Sequence, residues 1–110
     1  MNLQLAESLA SAVVALPTED YTVFQETLIA KTIRKTPGLA GGSACIRNTR
    51  IAVWTLISLM NQGADDQELL QNFPGLNLLD LAVARSYYAN LKEEIDAEIE
   101  SNHREDGWDD

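Results

Sequence analysis

The chain has 110 residues, of which 45% are hydrophobic, enough for one modest core and too few for two independent domains. Eight Lys and Arg against seventeen Asp and Glu give a net charge of −9, so the molecule as a whole repels nucleic acid unless its bases are gathered in one place. They are partly gathered: residues 31 to 50 hold five bases and no acid, whereas residues 91 to 110 hold nine acids and two bases.

A single cysteine and a single histidine exclude several kinds of site. Cys45 cannot build a disulfide framework, and together with His103 it does not provide the ligand set of a zinc site. The apolar stretch 9–16 is too short to span a bilayer and lacks the preceding positive charge of a signal peptide. We therefore expect a small cytoplasmic protein that binds no metal or cofactor and does not associate with membranes.

Two helices are predicted in the N-terminal third. Apolar residues at helical spacing predict an amphipathic helix over residues 3 to 16, which Pro17 ends. Acids that follow the proline predict the start of a second helix, reaching about Lys31. A strand over residues 27 to 33 is the weaker alternative, since this stretch is rich in helix formers. We expect residues 1–31 to form a helical extension packed on the core.

A turn-rich segment and a short hairpin come next. Prolines and glycines between residues 36 and 43 prevent a regular helix. Residues 44–47 and 50–53 then predict two short strands joined by Asn48 and Thr49. Because a two-residue hairpin turn requires positive φ, and asparagine tolerates it, Asn48 is expected to adopt the left-handed conformation.

Three helices are predicted in the second half. The first starts at Val53 and ends at Gly63, which is suited to a C-terminal cap. Asp65, with Glu68 three residues later, has the form of a capping box for the second. Asn77 can cap the third, whose apolar stripe continues to Ile99, giving about six turns.

This arrangement is typical of a DNA-binding fold class. We predict a mainly α protein with a helix-turn-helix three-helix bundle, homeodomain-like or winged-helix-like, carrying a short β-hairpin and the N-terminal helical extension. The domain is expected to cover residues 32–101. Residues 102–110 are acidic and lack periodicity, so they are expected to form a mobile tail.

Several ordered motifs resemble the bacterial domain of unknown function number 433 family. They are the segment from Thr36 to Val53, the helix end Gln62-Gly63, the helix start Asp65-Asp66 and the step Phe73-Pro74. The resemblance covers roughly residues 32 to 90, although the family usually has Gly at the position of Asn48. It implies a helix-turn-helix fold and an antitoxin role, often beside a small nuclease-like partner of the PIN type.

The bases supply the candidate nucleic-acid contacts. Arg47 and Arg50 flank the predicted turn, where two guanidinium groups could clamp a phosphate. The alternative is an ion pair within the chain, with Asp65, Asp66 or Asp80. We favour that structural role for Arg50 and leave both roles open for Arg47. The candidate contacts to DNA are Lys31, Arg34, Lys35, Arg47, Arg50 and Arg85.

The last helix predicts protein contacts better than DNA contacts. Its first turn is Leu78-Leu79-Asp80 and lacks the donors that a recognition helix inserts into the major groove. Its apolar stripe outlasts a three-helix core, and the helix over residues 3 to 16 adds another apolar face. Because both surfaces need cover, they predict a homodimer. A lone tryptophan in the acidic tail suits contact with a basic partner. The alternative, which we favour slightly, is a solubilising tail whose tryptophan folds back on the long helix. The candidate partner-binding residues are Tyr88, Leu91, Ile95, Ile99 and Trp108.

Nothing in the pattern favours catalysis. The acids of the second half lie at helix starts, where they satisfy free N–H groups, and Cys45 lies in an apolar strand. We therefore expect no catalytic residue, and we interpret the chain as a non-catalytic interaction module. The resemblance makes it an antitoxin that neutralises a PIN-like nuclease; the alternative is a dimeric helix-turn-helix transcriptional regulator that binds DNA.

Overall fold

The fold is mainly helical, with one short antiparallel sheet. The computed structural model describes residues 1–105, with side chains up to residue 102. Within this part of the chain, the elements in order are α1 Leu3–Val14, α2 Thr18–Thr32, β1 Ile33–Lys35, β2 Ala44–Ile46, α3 Val53–Asn61, α4 Asp66–Asn72, α5 Leu78–Asn90 and α6 Lys92–Glu105. The predicted fold class is confirmed.

The two N-terminal helices lie close to their predicted bounds. Asn2 caps α1 by accepting a hydrogen bond from the Leu5 N–H at 2.9 Å. Pro17 stands at the N-cap of α2, and Glu19 and Asp20 occupy its first turn. Helix α2 packs on α5, whereas no residue of α1 is buried. The predicted extension is therefore held to the core through its second helix.

The sheet differs from the predicted hairpin. Strand β2 pairs with β1, Ile33 lying opposite Ile46. Between the two segments predicted to form the hairpin, one isolated bridge remains, from Cys45 to Ala52. The predicted pairing is wrong because α2 runs directly into an extended segment that supplies a partner for β2, while α3 already begins at Val53.

The turn after β2 also differs in detail. The positive φ belongs to Arg47, at 44°, and not to Asn48. The Arg47 N–H donates to the carbonyl of Thr32 at 2.6 Å, which holds this residue against the end of α2. Thr49 shapes the turn, since its hydroxyl donates to the Ile46 carbonyl at 2.6 Å and accepts from the Ile51 N–H at 3.1 Å. The prediction of a left-handed Asn48 is wrong.

The starts of α4 and α5 are built as predicted. Asp65 and Glu68 form a complete capping box on α4, and Asn77 and Asp80 form a second one on α5. Between α3 and α4, Gly63 has φ 104°, a conformation that side chains with a Cβ resist. These local devices set the ends of the helices in this half of the chain.

The long final helix is broken. Helix α5 ends at Asn90, Leu91 leaves the helical conformation with φ −131° and ψ 41°, and α6 starts at Lys92. The break turns α6 back onto α3, and Ile95 becomes completely buried. A straight helix would have carried this side chain beyond the core. The expectation that one helix spans this stretch is wrong, because periodicity continues through a break.

The hydrophobic core joins the sheet to the last four helices. Its members lie on β1, β2, α3, α4, α5 and α6 and, with Leu76, in the loop before α5, and they bury at least nine tenths of their surface. The largest side chains that are fully buried are Ile46, Leu56, Leu69, Leu81, Ile95, Val53 and Asp80. One of them, Asp80, is charged, and it forms the centre of the site described next.

Candidate interaction site

Asp80 connects the turn after β2 to the start of α5. Its carboxylate is 1% exposed and accepts from Arg47 Nε at 3.0 Å and from Arg47 Nη2. The same Arg47 nitrogen Nη2 donates to the Gly75 carbonyl at 3.0 Å, and the Asn77 N–H donates to Asp80 at 2.9 Å. Both oxygens of this buried carboxylate therefore accept hydrogen bonds, from donors in two segments of the chain.

The electrostatics of this pair follow from its geometry. Burial alone would raise the pKa of Asp80, but the hydrogen bonds from Arg47 and the Asn77 backbone outweigh burial and lower that pKa. The pKa of Arg47 is raised by the same contact. Arg47 therefore has a structural contact, since it forms the ion pair that is one of its two predicted roles, while 42% of its side chain stays exposed.

Three other bases are also paired with acids of the chain. Lys35 binds Glu94 at 3.1 Å, which raises the pKa of Lys35. Arg85 pairs with Asp66, joining α5 to α4. Lys92 pairs with Asp96 at 2.9 Å and also donates to the Tyr88 hydroxyl at 2.9 Å. Arg85, a candidate DNA contact on the predicted recognition helix, is thus held in an ion pair within the chain.

The remaining bases form a small exposed group at one edge. Among the side chains that the structure describes, Lys31, Arg34 and Arg50 form no ion pair with an acid. Arg34 donates to Asn48 at 3.0 Å, which places it beside the turn that precedes Arg50. The ion pair that we favour for Arg50 is absent from these described contacts, whereas Arg47, for which both roles are open, forms one.

The predicted partner-binding residues are divided between interior and surface. Ile95 is fully buried, so its assignment to a partner surface is wrong. Tyr88 and Ile99 are half-buried, and Leu91 is exposed at the break between α5 and α6. The Tyr88 hydroxyl donates to Asp96 at 2.8 Å. Trp108, with residues 106–110, lies outside the described residues, and residues 102–105 of the expected tail belong to α6.

Residues considered for catalysis have structural contacts instead. Asp65 and Glu68 cap α4, Asp66 pairs with Arg85, and Asp80 is held by Arg47. Within the described part of the chain, no three His, Cys, Asp or Glu side chains are placed to hold a metal ion. Burial raises the pKa of the Cys45 thiol, which is the opposite of what activates a cysteine nucleophile.

The exposed apolar surface extends beyond the helix over residues 3 to 16, for which the sequence predicted cover by a second copy. Large apolar side chains remain in solvent on α1, on α2 and at the start of α5. They are Leu3, Leu5, Leu9, Val14, Tyr21, Val23, Phe24, Leu78 and Leu79, here called the arm face. Tyr21, Phe24 and Leu79 line one groove of about 180 Å³ between α2 and α5. Helical spacing indicated the apolar side chains of α2, but it does not show that several of them stay exposed.

Together these features define a small helical protein, with a two-stranded sheet, capped helices and an ion pair that joins β2 to α5. Its residues 33–88 match the family described as "Protein of unknown function (DUF433)". It is also similar to the crystal structure of a DUF433 member protein from Anabaena variabilis ATCC 29413, with 46% identity and a TM-score of 0.62. That match covers 90% of this chain and 98% of the other.

The chain therefore belongs to the DUF433 family, as its motifs predicted. No curated protein matches it. None of the helices in residues 1–105 is long and apolar enough to cross a membrane.

Proposed function

We propose that this protein is a non-catalytic interaction module of the antitoxin type, which binds and neutralises a small PIN-like nuclease. The observation that carries the proposal is a contrast between its surfaces: large apolar side chains are exposed on the arm face, while most of the described bases are tied to acids of the same chain. Extensive exposed apolar surface favours protein contacts.

The helix in the recognition position supports protein binding over DNA binding. Its exposed first residues are Leu78 and Leu79, and its base Arg85 is paired with Asp66. Helix α2 lies along α5 and contributes to the grooves beside it, so α5 is partly covered on the side where α2 packs. A recognition helix needs open access and free donors near its start.

The acidic end of the chain supports a basic partner. Helix α6 carries six acids and two bases, and residues 106 to 110 add three acids and no base. A surface of this charge speeds encounter with a positively charged cleft such as that of a ribonuclease. The alternative, a dimeric DNA-binding regulator, depends on the exposed edge of Lys31, Arg34 and Arg50.

Two measurements test the proposal. The tagged protein is purified from its own cells, and any nuclease that co-purifies is assayed for RNA cleavage with increasing amounts of this protein. Stoichiometric inhibition supports neutralisation; a co-purified nuclease whose cleavage is unaffected contradicts it.

A gel-shift titration against random duplex at low salt tests the alternative, because nonspecific DNA binding is strongest there. We expect no shift of the duplex. A shift that the double variant Arg34→Ala/Arg50→Ala abolishes, with Glu26→Ala as a control on the polar side of α2, would favour the regulator.

A further inference from the structure

The arm face exposes much apolar surface for a small protein. Its nine side chains expose between 37% and 85% of their surface. At roughly 100 Å² each they present on the order of 900 Å² of apolar surface in total, distributed over α1, α2 and the start of α5. One partner in a standard interface contributes about 800 Å², so a second protein surface that covers part of the arm face has enough apolar material to contact.

The shape of the chain is consistent with an uncovered arm. The Cα radius of gyration is 15.9 Å, whereas a compact domain of this length has about 13 Å. Helix α1 has no buried residue although Leu5 and Leu9 form an apolar stripe at a spacing of four. A second protein surface over this stripe would supply the burial that its own core does not.

The charge pattern along α2 would match a second α2 helix that runs in the opposite direction. Asp20, Phe24, Leu28 and Lys31 are spaced by four, four and three residues, so they lie on one side of the helix. The stripe thus has an acid at its start, the exposed Phe24 and the half-buried Leu28 in the middle, and a base at its end. Leu28 also packs against the core of its own chain, so the second copy would meet its outer edge. Neither Asp20 nor Lys31 forms an ion pair within the described part of the chain.

We propose that the occupant of the arm face is a second copy of this chain, with the two α2 helices packed antiparallel about a twofold axis. That packing places Asp20 of each copy opposite Lys31 of the other, and the Phe24 and Leu28 side chains meet between the two ion pairs. The contact is isologous, because both copies use the same surface, and it therefore forms a closed dimer. Most homodimers are built in this way. The α1 stripes of the two copies cover the flanks of the contact.

This dimer keeps one of the two surfaces on which the sequence predicted a homodimer, the helix over residues 3 to 16, and abandons the other. The stripe along α5 and α6 loses Ile95 to the core, whereas the arm face keeps its side chains in solvent. A second copy on the arm face leaves the acidic end of the chain, and not the arm face, as the surface for the proposed nuclease partner. The test of self-association uses this chain alone. A monomeric result would overturn the dimer without affecting the nuclease assay.

Sedimentation velocity at micromolar concentration tests the dimer. We expect the wild type to sediment as a dimer and Phe24→Asp to weaken association by about 30-fold or more, because it places a charge at the centre of the interface. Circular dichroism should show unchanged helix content, since Phe24 is exposed in the single chain. A wild type that is monomeric, or a dimer unaffected by Phe24→Asp, overturns the proposal.

Charge reversal tests the antiparallel arrangement. Asp20→Lys and Lys31→Asp should each weaken self-association, because each homodimer then has two repulsive contacts. Mixing the two single variants should restore a dimer, since both contacts of the mixed pair are attractive. Glu26→Lys, on the polar side of α2, is the matched control and should leave association unchanged. Failure of the mixture to associate better than either variant would overturn the arrangement.

Discussion

The core around α3, α4 and α5 and the N-terminal arm are both made of short amphipathic helices, yet they use their apolar residues in opposite ways. In the core, Leu56 and Leu69 are fully buried, and two capping boxes fix the helix starts. In the arm, Leu5 and Leu9 remain in solvent. The contrast shows that an amphipathic pattern predicts a helix. It does not indicate whether the apolar side of that helix packs on the same chain or on a partner.

The largest expected effect is the difference in stability loss when leucine is replaced by alanine in the core and in the arm. Leu56→Ala in the core should lower the free energy of unfolding by about 3–5 kcal/mol, because it removes a fully buried side chain and leaves a cavity. Leu9→Ala in the arm, where the side chain is 58% exposed, should lower it by about 0.5 kcal/mol or less in dilute protein. Urea unfolding at submicromolar concentration measures both, and equal losses would contradict the contrast.

The ion pair of the core should be the next most sensitive feature. Asp80→Ala leaves Arg47 without its partner and removes a capping-box carboxylate, so we expect a loss of about 3 kcal/mol in unfolding free energy. The exposed pair offers a control: Asp66→Ala should cost about 1 kcal/mol or less. Thermal melts of both variants compare them. A similar, small loss in both would mean that burial adds nothing to the Arg47–Asp80 contact.

The pH dependence of stability should report the same pair. The pKa of Asp80 is lower in the folded protein than in the unfolded chain, so its contribution is present above the unfolded value, about 4, and is lost as pH falls through the folded value. We expect the unfolding free energy of the wild type to fall more steeply below about pH 4 than that of Asp80→Asn. Parallel curves for the two proteins would contradict this assignment.

The smallest expected effect concerns the turn after β2. Because the positive φ lies at Arg47 and the turn is shaped by Thr49, Asn48→Val should change the unfolding free energy by about 0.5 kcal/mol or less. Thr49→Val, which removes both side-chain hydrogen bonds of the turn, should cost about 1 kcal/mol or more. Paired denaturant curves test this, and a larger loss for Asn48→Val would restore the predicted hairpin turn.

Most of the fold could be predicted from local signals. Proline, glycine and capping residues act within about four positions of a helix end, which is why the starts of α4 and α5 were predicted correctly. The pairing of β1 with β2 could not be predicted in this way, because it brings together segments separated by a turn-rich loop. The break at Leu91 was missed because the apolar spacing is the same before and after it.

The candidate site was less predictable than the fold. The ion pair of Arg47 with Asp80 was one of several possible pairs, and the sequence does not indicate which acid a base will contact 33 positions away. The arm face was visible as apolar spacing, but exposure is a property of the whole fold. Family membership followed from ordered motifs and was predictable, whereas the partner of the family member was not.

We expect the break at Leu91 to let α6 unfold separately from α5. Helix α6 is joined to α5 by a single non-helical residue and is anchored by Ile95, its one fully buried side chain among those described. Because such a segment can open without unwinding its neighbour, its amide hydrogens should exchange with solvent before those of α3 and α5. The open state would expose Ile95 while α3 and α5 stay helical.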